Sequence, residues 1–133
     1  ETKARIDPLR VIHKYSSSRQ LTHVSTRPAE EMAAMPEATH PLVRTHPETG
    51  RPALFVNPGY TIGIDGLDRD ESAELLKALF AHQGEDRFVY RHAWRQGMLT
   101  LWDNRCLLHR ATGGYEGHRR LLYRITIAER PIA

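Results

Sequence analysis

The sequence predicts a mainly β domain with one or two helices, and three observations carry that expectation. Short apolar runs rich in β formers recur at Leu54–Asn57, Phe88–His92, Met98–Trp102 and Leu121–Ile127. A single stretch, between Asp68 and Gly84, has helical spacing instead. Glycine, proline and small polar residues punctuate the chain between these segments.

Taken in order, residues 7–19 predict a short helix or an irregular arm. Pro8 suits a first helical turn, whereas Leu9, Val11 and Ile12 are apolar without clean periodicity, and Ser16-Ser17-Ser18 breaks the pattern. Residues 20–52 are rich in Pro, Thr, His and Glu, with Met32, Met35, Leu42 and Val43 as larger anchors. They read as a long surface connection. Leu54–Asn57 is a short strand ending at Pro58-Gly59. Asp68 is placed to cap a helix, with Glu71 reaching back, and the helix runs to about His82 before Gly84 ends it. Ala73, Leu75, Leu76, Leu79 and Phe80 form its buried stripe. Phe88, Tyr90 and His92 alternate with Arg87, Val89 and Arg91, as in a half-buried strand. Gln96-Gly97 is a turn, Met98–Trp102 a nearly continuous apolar strand, residues 110–118 a loop with three glycines, and Leu121–Ile127 the last strand. There is no internal repeat.

Size and charge narrow the function. At 133 residues the chain is one domain or less. Hydrophobic content of 40% and charged content of 26% fit a globular protein. A net charge of +3, with arginines and acids interspersed, is a poor footprint for nucleic acid. No run of apolar residues is long enough for a transmembrane helix, and Glu1–Pro8 carries no signal-peptide core. The single cysteine, Cys106, cannot form an internal disulfide, so a cytoplasmic location is expected.

The chemistry concentrates in the last third. Trp102-Asp103-Asn104-Arg105-Cys106-Leu107-Leu108-His109 sets a histidine after an apolar strand, and Arg120 and Arg124 follow eleven and fifteen residues later. Imidazole suits divalent iron. The planar guanidinium fork suits a carboxylate. A strand over 121–127 would point Arg120, Leu122 and Arg124 to one face, with Arg119 on the other. The plain alternative for His109 is a hydrogen-bonded core residue, and for the arginines a solvated strand face. His46-Pro47-Glu48 is a tempting second ligand pair. However, its proline and the following Thr49-Gly50 indicate a turn between two extended segments.

These motifs, with His40–Arg51 and Leu54–Asn57, resemble the taurine/2,4-dichlorophenoxyacetate dioxygenase family of Fe(II)/2-oxoglutarate-dependent enzymes. The resemblance covers most of the chain from about Arg10. It implies a double-stranded β-helix, a jelly roll, of which residues 1–133 would be the C-terminal portion. It implies His109 as the distal iron ligand, Arg120 as the partner of the 2-oxoglutarate carboxylate, and Arg124 and Tyr60 as substrate-binding residues. Tyr60 can equally be a loop side chain covering the core. Trp102 is expected near the metal or in the core, Asp103 and Asn104 as strand-end hydrogen-bonding residues, and Cys106 as a small packed side chain.

The family's other iron ligands form a His-x-Asp pair on an earlier strand, and no His-x-Asp occurs in this sequence. The expected activity is hydroxylation of a small organic anion, a sulfonate or an aryloxyalkanoate, by molecular oxygen, with 2-oxoglutarate converted to succinate. The expected assembly is a homo-oligomer or a pairing with an N-terminal portion. The alternative is a non-catalytic half-barrel that binds an organic anion or pairs with a companion chain.

Overall fold

The computed structural model describes residues 1–14, 30–31 and 34–127. Ser16-Ser17-Ser18 and Met32 lie outside the described residues. Among the described residues the main elements follow in order: α1 (Thr2–Ile6), β1 (Arg10–His13), β2 (Ala38–Pro41), β3 (Val43–Thr45), β4 (Pro52–Leu54), β5 (Thr61–Ile64) and α2 (Arg69–Gln83). A 3-10 turn, Asp86–Phe88, comes next. No helix among the described residues is long and apolar enough to cross a membrane.

β1 is the centre of a three-stranded antiparallel sheet, flanked by β2 and β5. Val11 pairs with His40 on one side and Ile64 on the other, and it is fully buried. Its side chain therefore sits where sheet and helix meet. Ile6, Leu42, Val56, Ile64, Leu75, Leu76 and Leu79 complete the core. α2 is fastened to β5 by a buried hydrogen bond in which the Ile64 N–H donates to Ser72 Oγ (2.9 Å).

α2 begins where the sequence predicts. Asp68 Oδ1 accepts from the N–H groups of Asp70 and Glu71, each at 2.9 Å, satisfying two of the donors a helix start leaves free. Glu71 does not reach back. Its carboxylate pairs instead with Arg5 at 2.6 Å, tying α1 to α2. Gly84 ends the helix.

The first half holds more β structure than its sequence predicts. Residues 10–13 form the central strand rather than a helix or arm, and the expected connection over 20–52 contains β2, β3 and the first residue of β4. The predicted strand Leu54–Asn57 shares only Leu54 with the observed one, which lies earlier, at Pro52–Leu54. The strands expected at 88–92, 98–102 and 121–127 join no ladder. Phe88 closes the 3-10 turn and packs its ring on His82 (5.1 Å between centroids). Residues 92–100 do fold back at Gly97, where φ is +77°, and Thr100 Oγ1 meets His92 Nε2 at 3.2 Å. Leu99, Leu101, Tyr123 and Ile125 are nonetheless each at least 85% exposed. Alternation records which face a side chain would bury; a strand forms only when a neighbour takes its N–H and C=O groups.

Across the β1–β2 ladder, His13, His40 and Phe55 form an aromatic cluster with centroids 5.2–5.4 Å apart. His13 Nε2 is buried without a hydrogen-bond partner. Burial, and then the neighbouring His40, hold the His13 imidazole below its ordinary value of 6.5. The folded state thus disfavours the protonated ring. Its contribution to stability is complete above pH 6.5 and is lost as pH falls through the lower, folded value. The unfolding free energy should fall with acid by no more than about 1.4 kcal/mol per pH unit for this one proton. Urea midpoints between pH 8 and 5 should therefore slope less in His13→Phe than in the wild type. Parallel slopes would show that His13 does not govern the response.

Candidate functional site

The stretch His46–Arg51 turns the chain between β3 and β4, which pair Val43 with Leu54 and Thr45 with Pro52. The His46 N–H donates to the Arg51 carbonyl, and the Gly50 N–H to the His46 carbonyl, both at 2.9 Å. Gly50 has φ +66°, a left-handed conformation that glycine adopts without steric cost. This is the turn the sequence predicts.

The turn holds the His46 side chain largely buried, 10% exposed, against residues far along the chain. His46 Nε2 lies 3.0 Å from Asp103 Oδ2. His46 Nδ1 accepts the Thr49 N–H at 3.3 Å. In the neutral ring the proton is therefore on Nε2, which donates to Asp103. Glu48 Oε2 stands 3.2 Å from Nδ1, ready to accept from it in the protonated ring.

Asp103 is saturated. Its Oδ1 accepts from the Arg105 backbone N–H (2.8 Å) and Nε (3.0 Å), and its Oδ2 from Arg105 Nη2 (2.6 Å) as well as His46. Arg105 also reaches Glu48 Oε1 at 2.8 Å. The Arg105 guanidinium, its backbone N–H and His46 together hold the Asp103 carboxyl far below the usual carboxylate range. The same guanidinium lowers Glu48, and both acids raise Arg105. A cavity of about 170 Å³ beside the network is lined by Arg44, Thr45, His46, Pro47 and Arg105.

Ligand atoms of His46, Asp103 and Cys106 lie within 4.8 Å of one another. A cation there would have to displace the guanidinium that already fills the Asp103 oxygens, and would meet its charge. The cluster is an ion-pair network rather than a metal cradle. Cys106 is exposed, not packed as the sequence suggests, with its thiol 3.9 Å from the Asp103 carbonyl.

From Asp103 the chain coils tightly. The Leu107 N–H donates to the Asp103 carbonyl at 3.1 Å, and Trp102 Nε1 donates to Asn104 Oδ1 at 2.9 Å. This coil brings the His109 ring onto Trp102, 5.0 Å between centroids and tilted by 56°. His109 is exposed, and no hydrogen bond engages it among the described residues. Its nitrogens are free for a ligand, so it fits as one iron ligand. No three-ligand group among the described residues includes it.

Arg120 is exposed, its guanidinium 4.9 Å above the Tyr115 ring, with no acid paired to it among the described residues. Arg124 is exposed. No contact joins either arginine to His109 among the described residues. Tyr60 follows the Pro58-Gly59 turn, which Asn57 closes by accepting the Gly59 N–H on Oδ1 (2.8 Å). The Tyr60 side chain is 39% exposed, and its carbonyl accepts the Lys14 N–H at 2.9 Å. Sequence reasoning missed the coupling of His46 to Asp103, 57 residues apart, because no local pattern signals it.

The chain is 37% identical over 126 residues to the alpha-ketoglutarate-dependent 2,4-dichlorophenoxyacetate dioxygenase of Cupriavidus pinatubonensis, covering 95% of this chain and 44% of the relative. It is 36% identical over 138 residues to the (S)-phenoxypropionate/alpha-ketoglutarate-dioxygenase of Sphingobium herbicidovorans, covering 98% and 47%. The chain thus spans less than half the length of these relatives. The crystal structure of a taurine dioxygenase from Burkholderia xenovorans superposes with a TM-score of 0.57 at 31% identity, over 72% of this chain and 29% of that one. The fold class is the one read from the sequence: β-rich with two helices, part of a jelly roll. Residues 1–126 match the family profile, and the chain belongs to the taurine catabolism dioxygenase TauD, TfdA family.

Proposed function

We propose that residues 1–133 are the C-terminal portion of a single jelly-roll domain in an Fe(II)- and 2-oxoglutarate-dependent dioxygenase. The observation that supports this most is the family match over residues 1–126, within which His109 presents an imidazole free of hydrogen bonds. Bound iron and 2-oxoglutarate would together activate molecular oxygen, releasing succinate and carbon dioxide and hydroxylating a C–H bond of the substrate. His109 would hold one coordination position. Trp102 would fix the plane of its ring by packing. Arg120, whose fork has no acid paired to it among the described residues, would take the distal carboxylate of 2-oxoglutarate. Arg124 and Tyr60 would bind the primary substrate.

The named relatives favour an aryloxyalkanoate or a sulfonate as that substrate. Charge supports the choice, since two guanidiniums with no acid paired to them among the described residues need anions before they can be enclosed. The exposed apolar residues of the 99–127 stretch support pairing with a further portion of protein that supplies the remaining iron ligands. A cytoplasmic setting suits the exposed free thiol of Cys106.

The test is an anaerobic Fe(II) titration of the complete protein and of these 133 residues alone. The complete protein should bind one iron tightly, and the isolated residues only weakly, because one imidazole cannot build a three-ligand face. Tight stoichiometric binding by the isolated residues would refute the ligand assignment and turn attention to His46, Asp103 and Cys106.

A further inference from the structure

We infer that His46 is a positioning residue for His109, acting through Asp103. The inference rests on the reading of His109 as an iron ligand. No strand ladder joins residues 89–127 to the two sheets. The β3–β4 turn and the 102–109 coil are joined by side chains instead: His46 to Asp103 at 3.0 Å and Glu48 to Arg105 at 2.8 Å.

Asp103 is the residue on which the coil is built. Its carboxylate accepts the Arg105 N–H, and its carbonyl accepts the Leu107 N–H. Its neighbour Trp102 carries the ring that His109 packs on. The Arg105 guanidinium already holds the Asp103 carboxylate from within the coil, and His46 adds the bond that ties that carboxylate, and the coil with it, to the β3–β4 hairpin. Without His46 the coil would keep its own bonds but lose its largely buried tie to the hairpin, and Trp102 and His109 would be free to shift with it. The imidazole itself is held from behind by the Thr49 N–H and from the side by a turn that Gly50 permits. The β3–β4 hairpin is thus a bracket, and His46 is the buried one of the two points at which it grips the segment bearing the ligand. Groups that orient a metal ligand from outside the coordination sphere are worth about 10- to 100-fold in metal affinity.

The experiment uses the complete protein and reads the Fe(II) dissociation constant by anaerobic titration in the presence of 2-oxoglutarate. The wild type is compared with His46→Ala, His46→Gln, His46→Asn and His109→Ala, and far-UV circular dichroism reports the fold of each. Glutamine can set an N–H near the place of Nε2, and asparagine nearer that of Nδ1. His46→Ala should weaken iron by about tenfold or more while the fold persists, and His46→Gln should recover most of the loss.

Where His46→Ala does not fold, the amide pair decides. Glutamine should bind iron about tenfold more tightly than asparagine, and equal affinities would overturn the proposal. Affinity in a folded His46→Ala within about twofold of wild type, alongside lost binding in His109→Ala, would overturn the positioning role and leave the ligand reading standing. Unchanged binding in His109→Ala would overturn both.

Discussion

Arg120→Ala should weaken 2-oxoglutarate binding to the complete enzyme by about 2–5 kcal/mol, roughly 30- to 4,000-fold. The guanidinium has no acid paired with it among the described residues, and its packing on Tyr115 leaves its N–H groups to a ligand. A carboxylate taken by that fork gains two charge-assisted hydrogen bonds. Once the site closes, removing the fork strands the carboxylate away from water. Arg124→Ala should act on the other ligand. It should raise the concentration of primary substrate required, while decarboxylation of 2-oxoglutarate without substrate continues. Lysine at either position should restore only part of the loss, since it keeps the charge but not the fork. Apparent affinities for both ligands in both variants check the division. Equal weakening of both ligands by each variant, or an unaffected primary substrate in Arg124→Ala, would show that the roles are assigned wrongly.

Local signals and long-range ones fared differently in the sequence. The bounds of α2 are legible, because Asp68, the Leu75/Leu76/Leu79 stripe and Gly84 act within a few residues of one another, although Ala73, expected in the stripe, is exposed and Ser72 is buried in its stead. The turn over His46–Arg51 is legible for the same reason. β1 is not. Within Arg10–His13 only Val11 is buried, and a four-residue strand with one core residue shows no period. β5 hides behind Gly63, which reads as a loop residue but pairs with Ile12 in the ladder.

The opposite error occurs at 121–127, where a strong β pattern has no adjacent strand among the described residues. Here the side chains specify a face to bury, and the described fold offers nothing to bury it against. At the site, the motif marks His109 and Arg120 as residue types fit for iron and a carboxylate. The grip of His46 on Asp103 depends on a fold that brings together residues 57 positions apart, and no short window contains both.

His109→Ala should have the largest effect of any single substitution. It removes the imidazole proposed as an iron ligand, and an incomplete face of ligands neither holds the metal nor leaves its co-substrate oriented. The reaction class makes the outcome measurable atom by atom. With O₂ as the oxidant, one oxygen atom enters succinate as 2-oxoglutarate loses carbon dioxide, and the other enters the hydroxylated substrate. The complete protein, supplied with Fe(II), 2-oxoglutarate, ¹⁸O₂ and an aryloxyalkanoate or a sulfonate, should yield succinate carrying one ¹⁸O and hydroxylated product carrying the other. His109→Ala should yield neither. Unlabelled succinate from the wild type, no succinate with either class of anion, or labelled succinate undiminished in His109→Ala would contradict the assignment of this chain to a 2-oxoglutarate-dependent dioxygenase acting through His109.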